Sequence, residues 1–295
     1  MKIIESGGKF QVAHFTGSHD ELPVGNYLLK YDPREGYYLT PKQDFVLPSK
    51  IYGDTGVTDR WIKSYQFNSE KNLGIILSGT KGSGKTITAQ KFCIDSKMPV
   101  IIINESYHGS DFIDFLTQFN NVIIFIDEFE KIYQKQDLST DLLSLMDGNY
   151  QSKFIFLLTV NEFTINNYLI NRLNRVKYRA HYDNLPASVM EEVIDDLLLN
   201  KSHRESIYQF FKKVNLCTFD LLVNIIKEMN LFQEDAIICG EYLNLEAEKK
   251  TYDVYEIIDG IERKQNAVVL RGDQNIFSIN RVHISKSADS AVAAN

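Results

Sequence analysis

Eight consecutive residues, Gly79-Thr80-Lys81-Gly82-Ser83-Gly84-Lys85-Thr86, follow directly on the apolar run Leu73–Leu77 and fit the spacing G-x-x-x-x-G-K-[ST]. Glycines at these places let successive backbone N–H groups turn inward on a phosphate chain, and a helix that starts there offers its positive end to the same anion. Lys85 is placed to reach the β- and γ-phosphates, and the Thr86 hydroxyl to ligate Mg²⁺. Further along, the apolar run Val122–Ile126 ends in two carboxylates, Asp127 and Glu128. Asp127 can hold Mg²⁺ through its water shell, and Glu128 can orient and deprotonate an attacking water. The bland alternative is a strand that ends in a solvated acidic turn. A third polar group, Asn161, closes the run Phe154–Val160, where an amide could position that water or sense the γ-phosphate, or simply cap the strand.

These groups need a scaffold that brings several strand ends to one edge. From about residue 48 to 184, short uniformly apolar runs alternate with helical stretches: Leu73–Leu77, Val100–Ile103, Val122–Ile126 and Ile155–Val160, with Val176–Tyr182 as a fifth strand at an edge. Strands so evenly apolar are expected in a parallel sheet covered on both faces by helices. Active groups then collect at the carboxyl ends of the strands. Thr88–Ile94 reads as the helix after the phosphate loop. Residues 185–231 read as three helices, Ala187–Leu199, Glu205–Val214 and Phe219–Met229, with Pro186 suited to a helix start. Residues 1–47 read as a small β-rich unit in which Asn26–Tyr31 and Gly36–Thr40 flank the turn-like Asp32-Pro33-Arg34-Glu35. Residues 232–285 return to strand-like alternation at Ala236–Leu243, Tyr252–Ile258, Ala267–Leu270 and Ser278–Ile284. Residues 286–295 are expected to be a disordered tail.

Composition narrows the class. The 295 residues are 44% hydrophobic and 24% charged, ordinary for a globular chain with a full core. A net charge of −7 argues against a protein that coats nucleic acid through its overall field. Three widely spaced cysteines, Cys93, Cys217 and Cys239, offer neither a zinc spacing nor a disulfide frame. No apolar stretch approaches a membrane span, and a cytoplasmic protein without membrane partners is expected.

Taken in order, Ile126-Asp127-Glu128-Phe129-Glu130, Leu142–Gly148, Asn161 and Asn171-Arg172-Leu173-Asn174-Arg175 resemble the motifs of the AAA family of ATPases over roughly residues 48–231. The resemblance implies an α/β P-loop fold with a parallel five-stranded sheet and a helical lid over 185–231, which the β-rich units read at 1–47 and 232–285 would flank. It implies ATP and Mg²⁺ as cofactors, Asp127 and Glu128 as the Walker B pair and Asn161 as the first sensor. Arg172 and Arg175 become the arginines presented to a neighbour's γ-phosphate, although Leu173-Asn174 stands where the family has Pro-Gly. A planar, permanently charged fork suits that task; the alternative is a surface cluster with Lys177 and Arg179. Ile51, Tyr52 and Gly53 occupy the place where the family brackets adenine. Tyr107-His108-Gly109 loosely echoes its pore loop, the alternative being a half-buried loop tyrosine. Thr218-Phe219-Asp220-Leu221 stands where a Gly-Ala-Asp-Leu is usual, and no second-sensor arginine is apparent. A short cassette of this kind is similar to Bcs1-like or small phage and bacterial members. The implied protein is a homo-oligomeric ring, a hexamer, that hydrolyses ATP to remodel or assemble protein partners. A DNA-acting motor or loader, an ATP-gated scaffold with little turnover, and a monomeric P-loop kinase are the alternatives.

Overall fold

A computed structural model describes residues 2–6, 9–13, 19–54, 56–67, 72–133, 140–148, 150–161, 176–243, 249–258, 261–264, 268–271 and 283–286. The chain divides into two compact units: residues 1–79 with 84–181, and residues 80–83 with 182–295.

The first unit is built on a seven-stranded sheet. Its strands are β3 (Asn26–Asp32), β4 (Gly36–Lys42), β5 (Leu73–Gly79), β6 (Val100–Ile102), β7 (Val122–Ile126), β8 (Phe154–Val160) and β9 (Tyr178–Tyr182). Their order is β4-β3-β6-β7-β8-β5-β9. Strands β3, β6, β7, β8 and β5 run parallel to one another. Every residue of β5, β6, β7 and β8 is buried, as the unbroken apolar runs require of strands covered on both faces. Alternation sorts their side chains. Val122, Ile124 and Ile126 of β7 and Phe154, Phe156, Leu158 and Val160 of β8 join a core with Phe112 and Leu116 of α3 (Ser110–Leu116) and with Leu142 and Leu145 of α5 (Thr140–Met146). Residues of the opposite parity, including Thr159, share the other face with helix α2 (Lys85–Ser96), which lies against α1 (Val57–Phe67). There Trp61 meets Phe92 with ring centroids 5.9 Å apart.

Two strands more than the expected five arise because the hairpin β3–β4 is not a separate N-terminal unit. Strand β3 pairs in parallel with β6, Asn26 opposite Val100 and Leu28 opposite Ile102, and so continues the sheet. Its Leu29 is fully buried. A distinct two-stranded hairpin, β1 (Lys2–Ser6) with β2 (Lys9–Ala13), precedes it.

The second unit contains α6 (Ala187–Leu197), α7 (Arg204–Val214), α8 (Phe219–Phe232) and α9 (Ala236–Tyr242). The three expected helices are present, but Ala236–Leu243 was expected as a strand and is helical. Asp235 decides this, since its carboxylate accepts hydrogen bonds from the backbone N–H of Ile237 and Ile238 and caps the turn. Ala236, Cys239 and Gly240 form the buried face. A Cβ at Gly240 would stand 2.1 Å from the Phe210 ring, so glycine is what lets α9 and α7 approach. Beyond it, β10 (Lys249–Ile258) pairs antiparallel with β11 (Ile261–Lys264), β12 (Val268–Arg271) and β13 (His283–Lys286).

Candidate active site

The phosphate-type loop leaves β5 at Gly79 and enters α2 at Lys85. Gly82 (φ 76°) and Gly84 (φ 96°) adopt the left-handed backbone that side chains resist. Within the loop the Ser83 hydroxyl donates to the Thr80 carbonyl at 2.6 Å. Position 82 is restricted a second way: the backbone N–H of Asp220, in the first turn of α8, donates to the Gly82 carbonyl at 3.1 Å. A Cβ on Gly82 would lie 2.8–3.1 Å from the Asp220 side chain. Lys85 is buried, and its Nζ donates to the Gly79 carbonyl at 2.8 Å. Burial lowers its pKa from the ordinary lysine value, against the opposing pull of the Glu130, Asp127 and Glu128 carboxylates.

Thr86 projects from the first turn of α2 toward the end of β7, where its Oγ1 donates to Asp127 Oδ1 at 3.1 Å. Thr159 donates to the same oxygen at 2.5 Å and accepts the Glu128 backbone N–H at 2.8 Å. Glu128 itself sits at φ 54°, ψ 53°, a left-handed conformation for a non-glycine residue at the start of α4 (Phe129–Ile132). Its carboxylate is held from two sides, by Asn161 Nδ2 at 2.9 Å and by Lys131 Nζ at 2.5 Å. Asn161 is anchored in turn: its backbone N–H donates to Glu130 Oε1 at 3.1 Å. The other Glu130 oxygen is buried without a hydrogen-bond partner.

The structure places Lys85, Thr86, Asp127, Glu128 and Asn161 near one another, at the carboxyl ends of β5, β7 and β8 and the first turn of α2. Hydroxyl and carboxylate oxygens form the donor set at Thr86 and Asp127, a hard set that fits Mg²⁺. Ile51, Tyr52 and Gly53 lie in a turn next to Asp54, which pairs with Lys91 of α2 at 3.6 Å. The Lys50 ammonium lies 4.7 Å from the Tyr52 ring centre. Arg172 and Arg175 lie outside the described residues.

Tyr107 does not face an opening. It is 7% exposed, packs edge-on against Tyr37 and donates its hydroxyl to the Leu29 carbonyl at 3.1 Å. The added hairpin covers the ring, and the pore reading fails for this residue, while His108 beside it is exposed. Sequence reasoning also missed Thr159, Glu130 and Lys131. A signal for Thr159 existed, because it is the one polar residue of β8 and has the parity that faces α2.

Residues 75–183 match the family described as ATPase family associated with various cellular activities (AAA). Over that segment, which holds the phosphate-type loop from Gly79, Asp127, Glu128 and Asn161, the chain is similar to ATP hydrolases. No curated protein matches the chain. Among solved structures it is similar to the Thermotoga maritima RuvB Holliday junction branch migration motor, at 16% identity and a TM-score of 0.47, covering 65% of this chain and 70% of that one. A mutant form of the same protein matches at 15% identity and a TM-score of 0.47, covering 72% of this chain and 73% of that one. Among the described residues no helix is long and apolar enough to cross a membrane.

Proposed function

We propose that this chain hydrolyses ATP at subunit boundaries of a ring and uses the energy to remodel or assemble protein partners. The observation that carries the reading is the continuous network Thr86–Asp127–Thr159–Glu128–Asn161, which sets a metal-binding oxygen pair and a water-activating carboxylate on adjoining strand ends. Backbone N–H groups of Thr80–Thr86 and the Lys85 ammonium bind the triphosphate. Thr86 and Asp127 would hold Mg²⁺, which would supply charge neutralisation to the phosphates. Ile51, Tyr52 and Gly53 bracket adenine. Glu128 takes the proton of the attacking water while Asn161 fixes the carboxylate's aim and reads the γ-phosphate. Arg172 and Arg175 complete the charge shell of a neighbouring subunit's nucleotide. The acidic balance of the chain favours protein over nucleic acid as the client.

Two variants test the site. Lys85→Ala is expected to lose nucleotide binding in a fluorescent-nucleotide titration, and retained affinity would contradict the phosphate cradle. Glu128→Gln is expected to bind ATP normally and to turn over about 10²–10⁴ times more slowly, the usual contribution of a positioned base. Turnover at the wild-type rate would remove Glu128 from that role. Salt-sensitive DNA binding that stimulates turnover would favour a DNA-acting motor instead.

A further inference from the structure

We infer that Thr159 is a positioning residue for catalysis: a single buried hydroxyl sets both the metal-binding carboxylate and the backbone of the catalytic base. The inference rests on the hydrolytic reading above. Thr159 is 1% exposed in a strand otherwise made of Phe, Ile, Leu and Val. A hydroxyl buried there is costly unless it is hydrogen-bonded. Its one proton is committed to Asp127 Oδ1 at 2.5 Å, and its lone pair receives the Glu128 N–H at 2.8 Å. Each bond has a distinct consequence.

The first concerns Asp127. Thr86 and Thr159 both donate to Oδ1, whereas Oδ2 lies 3.5 Å from Thr86. Two donors converging on one oxygen fix the carboxylate's rotation, so the second oxygen has one direction in which to meet the water shell of a metal. An unlocked carboxylate would bind the same ion with a looser aim, and ligand-orienting hydrogen bonds of this kind are worth roughly 10–100-fold in affinity or activity.

The second concerns Glu128. A non-glycine residue in the left-handed region persists only when its surroundings over-determine it. Thr159 Oγ1 is the acceptor that holds this N–H, and the turn it stabilises sends the Glu128 side chain to Asn161 rather than onward along β7. Carboxylate and base are thus set from the neighbouring strand, by a residue two positions before Asn161.

Thr159→Val keeps the branched shape and deletes both bonds; Thr159→Ser keeps the hydroxyl and loses a methyl group. The full chain in wild-type and both variant forms is compared by three readouts: ATP turnover against Mg²⁺ concentration, binding of a fluorescent ATP analogue with Mg²⁺ and with EDTA, and the melting midpoint. For Thr159→Val we expect turnover at saturating Mg²⁺ reduced about 10–100-fold. A higher Mg²⁺ requirement is expected too, with EDTA-state nucleotide binding within about twofold of wild type. Thr159→Ser should recover most of the turnover despite its packing defect. Wild-type turnover and Mg²⁺ dependence in Thr159→Val would overturn the inference. So would equal loss in both variants that follows only the melting midpoint, because methyl packing would then be the cause. If wild type binds but does not turn over ATP, the hydrolytic reading fails on its own. The Mg²⁺ enhancement of nucleotide binding still decides Thr159, supporting it if lost in Thr159→Val and overturning it if kept.

Discussion

At Lys85 two forces oppose each other. Burial removes the water that favours an ammonium, while three carboxylates in the same site favour it; desolvation is the larger, and the pKa falls below the ordinary 10.5. A triphosphate needs the charged form, so nucleotide affinity should begin to fall at a pH below that of an ordinary lysine. Folding stability should respond with the opposite sign. Between the lowered value and 10.5, the unfolded chain holds a proton that the folded chain has released, and stability from this group rises with pH. Fluorescent-nucleotide titrations from about pH 8 to about pH 10, with melting midpoints taken on the same samples, separate the two effects. Constant affinity up to about pH 10 in a protein that remains folded would show that Lys85 keeps its ordinary proton affinity.

Among the elements, the hairpin β3–β4 has the largest consequence, because it turns a five-stranded layout into seven and buries Tyr107. The Tyr107 hydroxyl ties the loop after β6 to the Leu29 carbonyl of β3. Desolvation, reinforced by the Glu105 carboxylate, pushes its pKa up to about 12. A phenol that keeps its proton longer when folded contributes stability that is full below 10.0 and is lost as pH rises through about 12. Tyr107→Phe should therefore lower stability by about 1 kcal/mol at neutral pH, the typical net value of one hydrogen bond, and make the decline between those pH values shallower. Urea midpoints across the range check this, and an alkaline slope identical to wild type would remove Tyr107 as its source. The sheet's central strands could be read from sequence because burial on both faces writes an unbroken apolar run, as in Ile123 to Ile126. The pairing of β3 with β6 could not, since it joins segments more than seventy residues apart through backbone bonds that any sequence can make. Ala236–Leu243 misled for a local reason. Ile237, Ile238 and Cys239 suit either period, and the capping role of Asp235 outweighed their strand propensity.

For the whole molecule, the phosphate loop and the paired carboxylates were legible because each sits directly after an apolar strand, whereas assembly leaves no comparable mark inside one chain. Phosphoryl transfer spreads negative charge over three equatorial oxygens, and an arginine supplied from a neighbour typically raises turnover 10³–10⁵-fold. If Arg172 serves the adjoining subunit, its loss and the loss of Lys85 damage opposite sides of the same boundary. Arg172→Ala retains an intact phosphate loop but gives its neighbour no arginine; Lys85→Ala retains the arginine but binds no nucleotide. Each variant alone should be inactive. Mixed in equal amounts in a closed head-to-tail ring, about one quarter of the boundaries pair an intact loop with an intact arginine, whatever the ring size. Recovered ATP turnover should approach that fraction of wild type, rising and falling with the mixing ratio and greatest near equality. Differently labelled subunits verify that mixed rings form. Turnover that stays at the level of the separate variants in verified mixtures, or an Arg172→Ala protein active by itself, would place the completing charge within a single subunit.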